Sequence, residues 1–368
     1  MVDNPNNEIK IDKNTETYLK YRGYTIQNQI GTGTYGIVYN GTKLSFDKKE
    51  EINVAVKVID KRKKIYNVEM YHNEVKAMQT LKNDNIITSY ALFETNHLIM
   101  IFMDLAQDGD LLTLLLRNGA LGESGSQNFF RQIISGLKYM HDVCWMAHLD
   151  IKCDNILLQK GIAKLSDFGF TSDFYPIYSE GNFQTKRVGT FEYNPPQLMY
   201  ETPCYFPPKV DVYSAGITLF IMVFGRFLFV SVEKNFYKKQ KDIRSQQLKY
   251  LDKIHAKLST KYSEKLKQLL IKMLHPSEIN RPAMKEILDN AWVKMDQFKI
   301  EESQQKNIEN IQKEDLHTDQ DKALDNKDDN NVKKCSSLND NFRINKRRKR
   351  KRSGSSIGEI KRNVLKKY

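Results

Sequence analysis

The chain has 368 residues, with 58 Lys and Arg against 45 Asp and Glu, a formal net charge of +13, and it is 40% hydrophobic and 28% charged. That length suits one large domain or two lobes plus a tail, and the composition excludes a wholly disordered, collagenous or disulfide-rich chain. The positive excess points to an acidic partner (nucleic acid, a membrane surface or import machinery), so its position along the chain matters.

Residues 1–23 are polar, rich in Asn, Lys and Thr, and carry no apolar signal segment; they read as a flexible arm. Tyr24 to Ile30 and Ile37 to Thr42 alternate in polarity around Gly31-Thr-Gly33, which reads as a hairpin. Asn53 to Ile59 is a further strand, Tyr71 to Leu81 has helical apolar spacing, and His97 to Leu105 is an apolar strand. After Gly109 the pattern turns helical, over Leu111 to Leu116 and Phe129 to Met140. Ile156 to Leu158 and Ala163 to Leu165 form a short hairpin turning at Gly161. Helices follow over Val212 to Phe224, Ser263 to Leu274 and Met284 to Asn290. The uncharged run Val212 to Gly225 spans 14 residues, too few to cross a membrane, and reads as a buried core helix. These shifts divide the chain into an arm (1–23), a strand-rich small lobe (24–104), a helix-rich large lobe (105–296) and a polar tail (297–368). The tail lacks apolar residues to offset ordering entropy, so disorder is expected there.

Cys144, Cys153, Cys204 and Cys335 form no C-x-x-C pair, which removes the usual zinc and redox spacings. Reduced thiols of a cytoplasmic or nuclear protein are expected.

Gly31-Thr-Gly33-Thr-Tyr-Gly36-Ile-Val38 is a G-x-G-x-x-G-x-V loop with strand-like residues on both sides. That setting favours a flap over phosphates, because a dinucleotide-binding loop joins a strand to a helix. Lys57 follows in Val54-Ala-Val-Lys57, and Glu74 lies on the next helix. Then come His148-Leu-Asp150-Ile-Lys152-Cys-Asp-Asn155 and Asp167-Phe-Gly169, and further on Gly189-Thr190, Pro195-Pro-Gln197, Asp211 and Arg281-Pro282.

In this order the motifs resemble the eukaryotic protein kinase family, serine/threonine type, from about residue 24 to 295. The resemblance implies an α+β two-lobe kinase fold, with a small β-rich N-lobe and a larger helical C-lobe. It implies transfer of the ATP γ-phosphate to protein hydroxyls with Mg²⁺. Such transfer asks the protein mainly for positioning and charge neutralisation. Lys57 would neutralise the α/β-phosphates, held by Glu74. Asn155 and Asp167 would bind Mg²⁺ through hard oxygen ligands. Asp150 would orient the substrate hydroxyl, and Lys152 would stabilise the γ-phosphate. Ile30, Gly31, Gly33, Gly36, Val38, Ala55 and Leu157 would enclose the nucleotide. Met103 falls at the gatekeeper position, with hinge contacts from Asp104 and Ala106. Asp110 would contact ribose and upstream arginines, and Asp154 matches an acidic position of basophilic, calcium/calmodulin-dependent-kinase-like members. Lys152 and Thr190 mark the serine/threonine type, and Phe170 after Asp-Phe-Gly goes with serine preference. A catalytically weak pseudokinase scaffold is the alternative reading.

Two departures stand out. The usual His-Arg-Asp reads His148-Leu149-Asp150, and Leu149 cannot receive an activation-loop phosphate. Lys186 stands where a phosphothreonine is common, followed by Arg187 and with Thr185 one residue before it, so activity without obligatory loop phosphorylation is expected. Gln197 replaces the Glu that normally pairs with Arg281; a buried arginine without its carboxylate would cost about 3–5 kcal/mol unless another acid or water compensates.

Residues 341–368 hold twelve of the basic residues and one acid, a net +11, including Lys346 to Arg352, seven basics in a row. The rest of the chain carries only +2, the remainder of the total +13. The run reads as a nuclear import signal, an anionic-surface contact or a solvated tail. Few aromatics accompany it, which counts against stacking on nucleic-acid bases. Protein substrates, basic ones included, and import machinery are the partners expected.

Overall fold

The computed structural model describes Ile9 and residues 11–295, except 33–35, 48, 65, 176–182, 201–202, 251, 253 and 255–261. The tail from 297 and its basic run lie outside the described residues.

The small lobe is a five-stranded antiparallel sheet, order β1-β2-β3-β5-β4. Its strands are β1 (Tyr24–Thr32), β2 (Ile37–Leu44), β3 (Glu51–Asp60), β4 (Ser89–Glu94) and β5 (Leu98–Asp104). Alternation along β3 sorts its residues onto two faces. Val54, Val56 and Val58 enter an outer core with Tyr39, Leu98, Met100 and Phe102. Ala55 and Lys57 fall on the other face, with Met103 opposite Ala55 and Ile101 opposite Lys57. Helix α2 (Val68–Thr80) covers part of that inner face; Asn67 caps it by accepting from the Glu69 and Met70 N–H groups.

The expected arm is partly ordered, which corrects the reading of 1–23 as flexible. Helix α1 (Lys13–Tyr21) starts at Asp12, whose carboxylate accepts from the Thr15 N–H at 2.9 Å and its hydroxyl at 2.6 Å. Leu19 is 1% exposed and joins Ile9 in the outer core. Tyr18 meets Phe93 edge-on at 6.0 Å. One buried leucine in a polar stretch gives little periodic signal; the sheet face supplies the burial that orders the helix.

The large lobe is helical: α3 (Leu111–Asn118), α4 (Gly122–Asp142), α5 (Pro207–Phe224), α6 (Phe236–Leu248), α7 (Glu264–Met273) and α8 (Met284–Leu288). Helix α5 is apolar nearly all round and buried nearly all round, as such a helix must be. It ends at Gly225 in the left-handed conformation, φ 68°, whose N–H closes the last turn on Ile221. Leu228 is buried in this core. Glu123 ties three parts of the lobe together. Its carboxylate accepts from Trp292 Nε1 at 2.7 Å and Ser263 N at 3.0 Å, and also from the Ser263 hydroxyl. The two short hairpin strands β7 (Ile156–Gln159) and β8 (Ile162–Leu165) lie under the cleft between the lobes, and β6 (Met146–Ala147) pairs with β9 (Ser172–Asp173).

Arg281 is 2% exposed and is not left unpartnered. Its Nε donates to His275 O at 2.8 Å, and one terminal nitrogen to Lys209 O at 2.9 Å. The other donates to Gln197 Oε1 at 2.8 Å and Pro276 O at 3.0 Å. Its guanidinium also lies 4.9 Å from the Tyr213 ring centroid. Burial lowers its pKa to about 10, with Tyr213 and Glu278 pulling the other way. Neutral oxygens therefore take the hydrogen bonds expected of the missing carboxylate, while the Glu278 carboxylate supplies a nearby negative charge.

Candidate active site

One cleft of about 350 Å³ lies between the lobes, bordered by Ile30, Gly31, Gly36, Val38, Ala55, Lys57, Glu74, Met103, Asp104, Ala106, Asp110, Asn155, Leu157 and Asp167. Its size suits a small-molecule site. Gly33, between β1 and β2 in the sequence, lies outside the described residues. Strands flank the glycine-rich segment on both sides, as expected for a flap. Ile87, Ser89 and Ser166 also line the cleft and were not foreseen. Ser89 comes from β4, opposite Met103, and β4 has little alternation to announce it.

Lys57 reaches across the upper cleft to two carboxylates, Glu74 Oε2 at 3.0 Å and Asp167 Oδ1 at 2.9 Å. Burial alone would lower the Lys57 pKa, but Asp167 and Glu74 outweigh it and hold the ammonium charged. The two acids divide in response. Burial raises Glu74 above the usual carboxylate range against the pull of Lys57, while Asp167, despite its own burial, is held low by Lys57. Asp167 has φ 67°, a left-handed backbone that turns its side chain into the cleft. Phe168 tucks beneath, its ring 5.3 Å from that of His148.

A second network sits below. Asp150 is 3% exposed. Its Oδ2 accepts from Lys152 Nζ at 2.6 Å and Asn155 Nδ2 at 2.9 Å. Its Oδ1 accepts from the Thr190 hydroxyl at 2.7 Å, and that hydroxyl accepts from Lys152 Nζ at 2.8 Å. Gly189 makes this approach by Thr190 possible: it has φ 75°, and a Cβ there would meet Leu149 O at 2.4 Å.

The loop that carries Asp150 is held from behind by Asp211, on α5. The fully buried Asp211 carboxylate accepts from the N–H groups of His148 at 2.8 Å and Leu149 at 2.7 Å. His141 Nε2 lies 2.8 Å from it. His148 Nε2 faces the Ser166 carbonyl at 3.1 Å, which can only accept, so that nitrogen carries the proton. Nδ1 is then the acceptor for Asp150 N–H at 3.3 Å.

Leu149 is 3% exposed and packs with Ala147, Leu198, Tyr205, Val210 and Phe170. A side chain so placed has no charge to offer a phosphate. Asp110 lies at the cleft mouth, and its carboxylate caps α3, accepting from Thr113 N at 2.6 Å and Thr113 Oγ1 at 3.0 Å. Asp104 holds the hinge with backbone and side chain: its N–H donates to Thr88 O at 2.9 Å, and its carboxylate takes the Tyr90 hydroxyl and lies 3.5 Å from Lys164.

A lysine shared by two acids thus stands above an Asp–Lys–Thr–Asn network. Residues 24–293 match the family described as the protein kinase domain. The chain belongs to the protein kinase family. The chain is 31% identical over 283 residues to mouse testis-specific serine/threonine-protein kinase 3, covering 76% of this chain and 98% of that protein. It is 32% identical over 281 residues to mouse testis-specific serine/threonine-protein kinase 1, 75% of this chain and 73% of that one. Mouse serine/threonine-protein kinase SIK1 is 32% identical over 213 residues, 57% of this chain and 26% of its own length. This kinase is accordingly an ATP-dependent protein serine/threonine kinase of the two-lobe α+β fold, similar to the calcium/calmodulin-dependent group. No helix among its described residues is long and apolar enough to cross a membrane.

Proposed function

We propose that this kinase phosphorylates serine in preference to threonine, with the named cleft residues in the following roles. Lys57 binds the α/β-phosphates and Glu74 keeps it extended. Asp150 accepts a hydrogen bond from the substrate hydroxyl and orients it for in-line attack. Lys152, already poised between Asp150 and Thr190, neutralises charge on the transferred phosphoryl group. The observation that supports this most is the convergence of Lys152, Thr190 and Asn155 on one buried carboxylate.

The residues fit magnesium. Among the described residues no cluster of three or more His, Cys, Asp or Glu could hold a metal by itself. Mg²⁺ asks for less, because one or two side-chain oxygens suffice when phosphates supply others. Asp167 is held ionised by Lys57, and Asn155 uses its Nδ2 on Asp150, which directs Oδ1 to the opposite side. When bound, magnesium neutralises phosphate oxygens; Asp167 and Asn155 would hold it.

Serine preference rests on Phe170, packed against Leu149 and Tyr205 just after Asp-Phe-Gly. A peptide array of matched Ser and Thr substrates that favours threonine would overturn it. Asp154 and Asp110, both at the border of the cleft, support basic substrates. Activity without phosphate on the activation loop is supported by buried Leu149 and by Lys186 in place of a phosphoacceptor. Phosphatase treatment should leave peptide phosphorylation intact. The basic run Lys346 to Arg352 is proposed to carry the kinase to the nucleus; a tagged chain ending at 340 that distributes like full length would refute this.

The decisive assay is transfer from radiolabelled ATP, wild type against Asp167→Ala. Equal incorporation would sink the catalytic assignment and favour a scaffold.

A further inference from the structure

The face of α2 turned toward the activation segment carries Glu69, Asn73 and Lys76, at i, i+4 and i+7, so they form one stripe. The side chain of each makes a contact across to that segment. Glu69 forms an ion pair with Lys186. Asn73 Nδ2 donates to Gly169 O at 3.1 Å, and Lys76 forms an ion pair with Asp173. The three contacts border one cavity of about 640 Å³, whose wall includes Leu149 and Tyr205. Lys186 is rooted in the large lobe: its carbonyl accepts from the Tyr205 hydroxyl at 2.7 Å, and Tyr205 exchanges two backbone bonds with Gln184 at 2.9 and 3.1 Å. Its side chain thus spans from the large lobe to the N-terminal turn of α2. Glu74, the residue that holds Lys57, is on the same helix.

From this geometry we infer that the Glu69–Lys186 ion pair is the positioning contact that keeps α2 seated, so that Glu74 meets Lys57 with no phosphate on the loop. The inference rests on the phosphate-independent reading above and supplies its mechanism. The charge sense fits. A phosphate at this place needs cations around it, whereas Lys186 needs an acid, and the first turn of α2 provides one where the helix dipole also favours it. Both side chains are more than half exposed, so the pair acts through a balance of two α2 positions rather than by adding much stability. Glu69 and Lys186 touch neither nucleotide nor substrate in this scheme; they act through Glu74.

The test compares wild type, Glu69→Lys, Lys186→Glu and the double reversal, all phosphatase-treated, on a peptide of zero net charge at low and high salt. Each single reversal should lower kcat/KM about two- to five-fold, the scale an exposed pair supplies. The double reversal should return it to within about two-fold, since it restores the attraction. Melting temperatures should stay close together, and wild-type activity should fall with salt more than that of either single variant. Single variants as active as wild type, or a double variant no better than the singles, would overturn the inference while active dephosphorylated wild type leaves the underlying reading standing. Inactive dephosphorylated wild type would overturn both.

Discussion

Gln197 offers a test of how this fold tolerates a buried cation with no carboxylate among its hydrogen-bond acceptors. If Arg281 lacks something, Gln197→Glu should supply it and stabilise the large lobe by about 3–5 kcal/mol, the cost of an unpaired buried charge. The structure argues otherwise. Four N–H···O contacts between 2.8 and 3.0 Å and one aromatic face already surround the guanidinium. A new carboxylate would gain about 4 kcal/mol of attraction at an effective dielectric of 20. It would spend several kcal/mol on its own desolvation. It would also lose the donor that Gln197 Nε2 gives to Pro276 O, worth about 1 kcal/mol. The terms nearly cancel, so Gln197→Glu should lie within about 1 kcal/mol of wild type. Gln197→Ala removes a hydrogen bond to a charged group and should cost about 1.5–3 kcal/mol. At about 2–4 °C per kcal/mol for a lobe of this size, calorimetry resolves both changes. A stabilisation of 3 kcal/mol or more by Gln197→Glu would refute the account of neutral compensation.

Glu74 gives a pH prediction. Its folded pKa is raised by burial, so the folded state favours its neutral form, and its contribution to stability is lost as pH rises through that pKa. The ionised form holds Lys57 more strongly than the neutral one, so kcat/KM should begin its acid fall at higher pH than an ordinary glutamate gives. Glu74→Gln should lower kcat while leaving the melting temperature at or above that of wild type, because Lys57 keeps Asp167; a clear drop in melting temperature would contradict this. Burial also pushes the Cys153 thiol up to about 12, whereas Cys204 is exposed. Peptide mapping after brief alkylation at neutral pH should find Cys204 modified and Cys153 untouched. Leu19→Ala should destabilise the small lobe by about 2–4 kcal/mol, read from thermal unfolding; no change would mean α1 contributes nothing to the core.

The candidate catalytic set was legible in the sequence because phosphoryl transfer asks for particular residue types at fixed spacings along short local segments. His148 to Asn155 and Asp167 to Gly169 are such segments, and the structure brings them together around Asp150 and Lys57. The glycine flap was legible for a similar reason: alternation on both sides of Gly31 to Gly36 distinguishes a hairpin from a strand–helix turn. Helix α1 and strand β4 were not legible, because neither carries enough periodic apolar residues of its own. Their order comes from the sheet face and edge against which they lie.

The partners of Arg281 and Lys186 belong to a third class. The sequence by itself determined that Leu149, Lys186 and Gln197 depart from the family pattern, and that the charge excess lies in the last 28 residues. It could not determine what answers those departures. The carbonyls of His275, Lys209 and Pro276 have no side-chain signature, and Glu69 lies 117 positions from Lys186. Backbone oxygens and long-range ion pairs become partners only when packing brings them within hydrogen-bond distance. That is why chemistry could be read along the chain, while compensation and coupling had to be read across the fold.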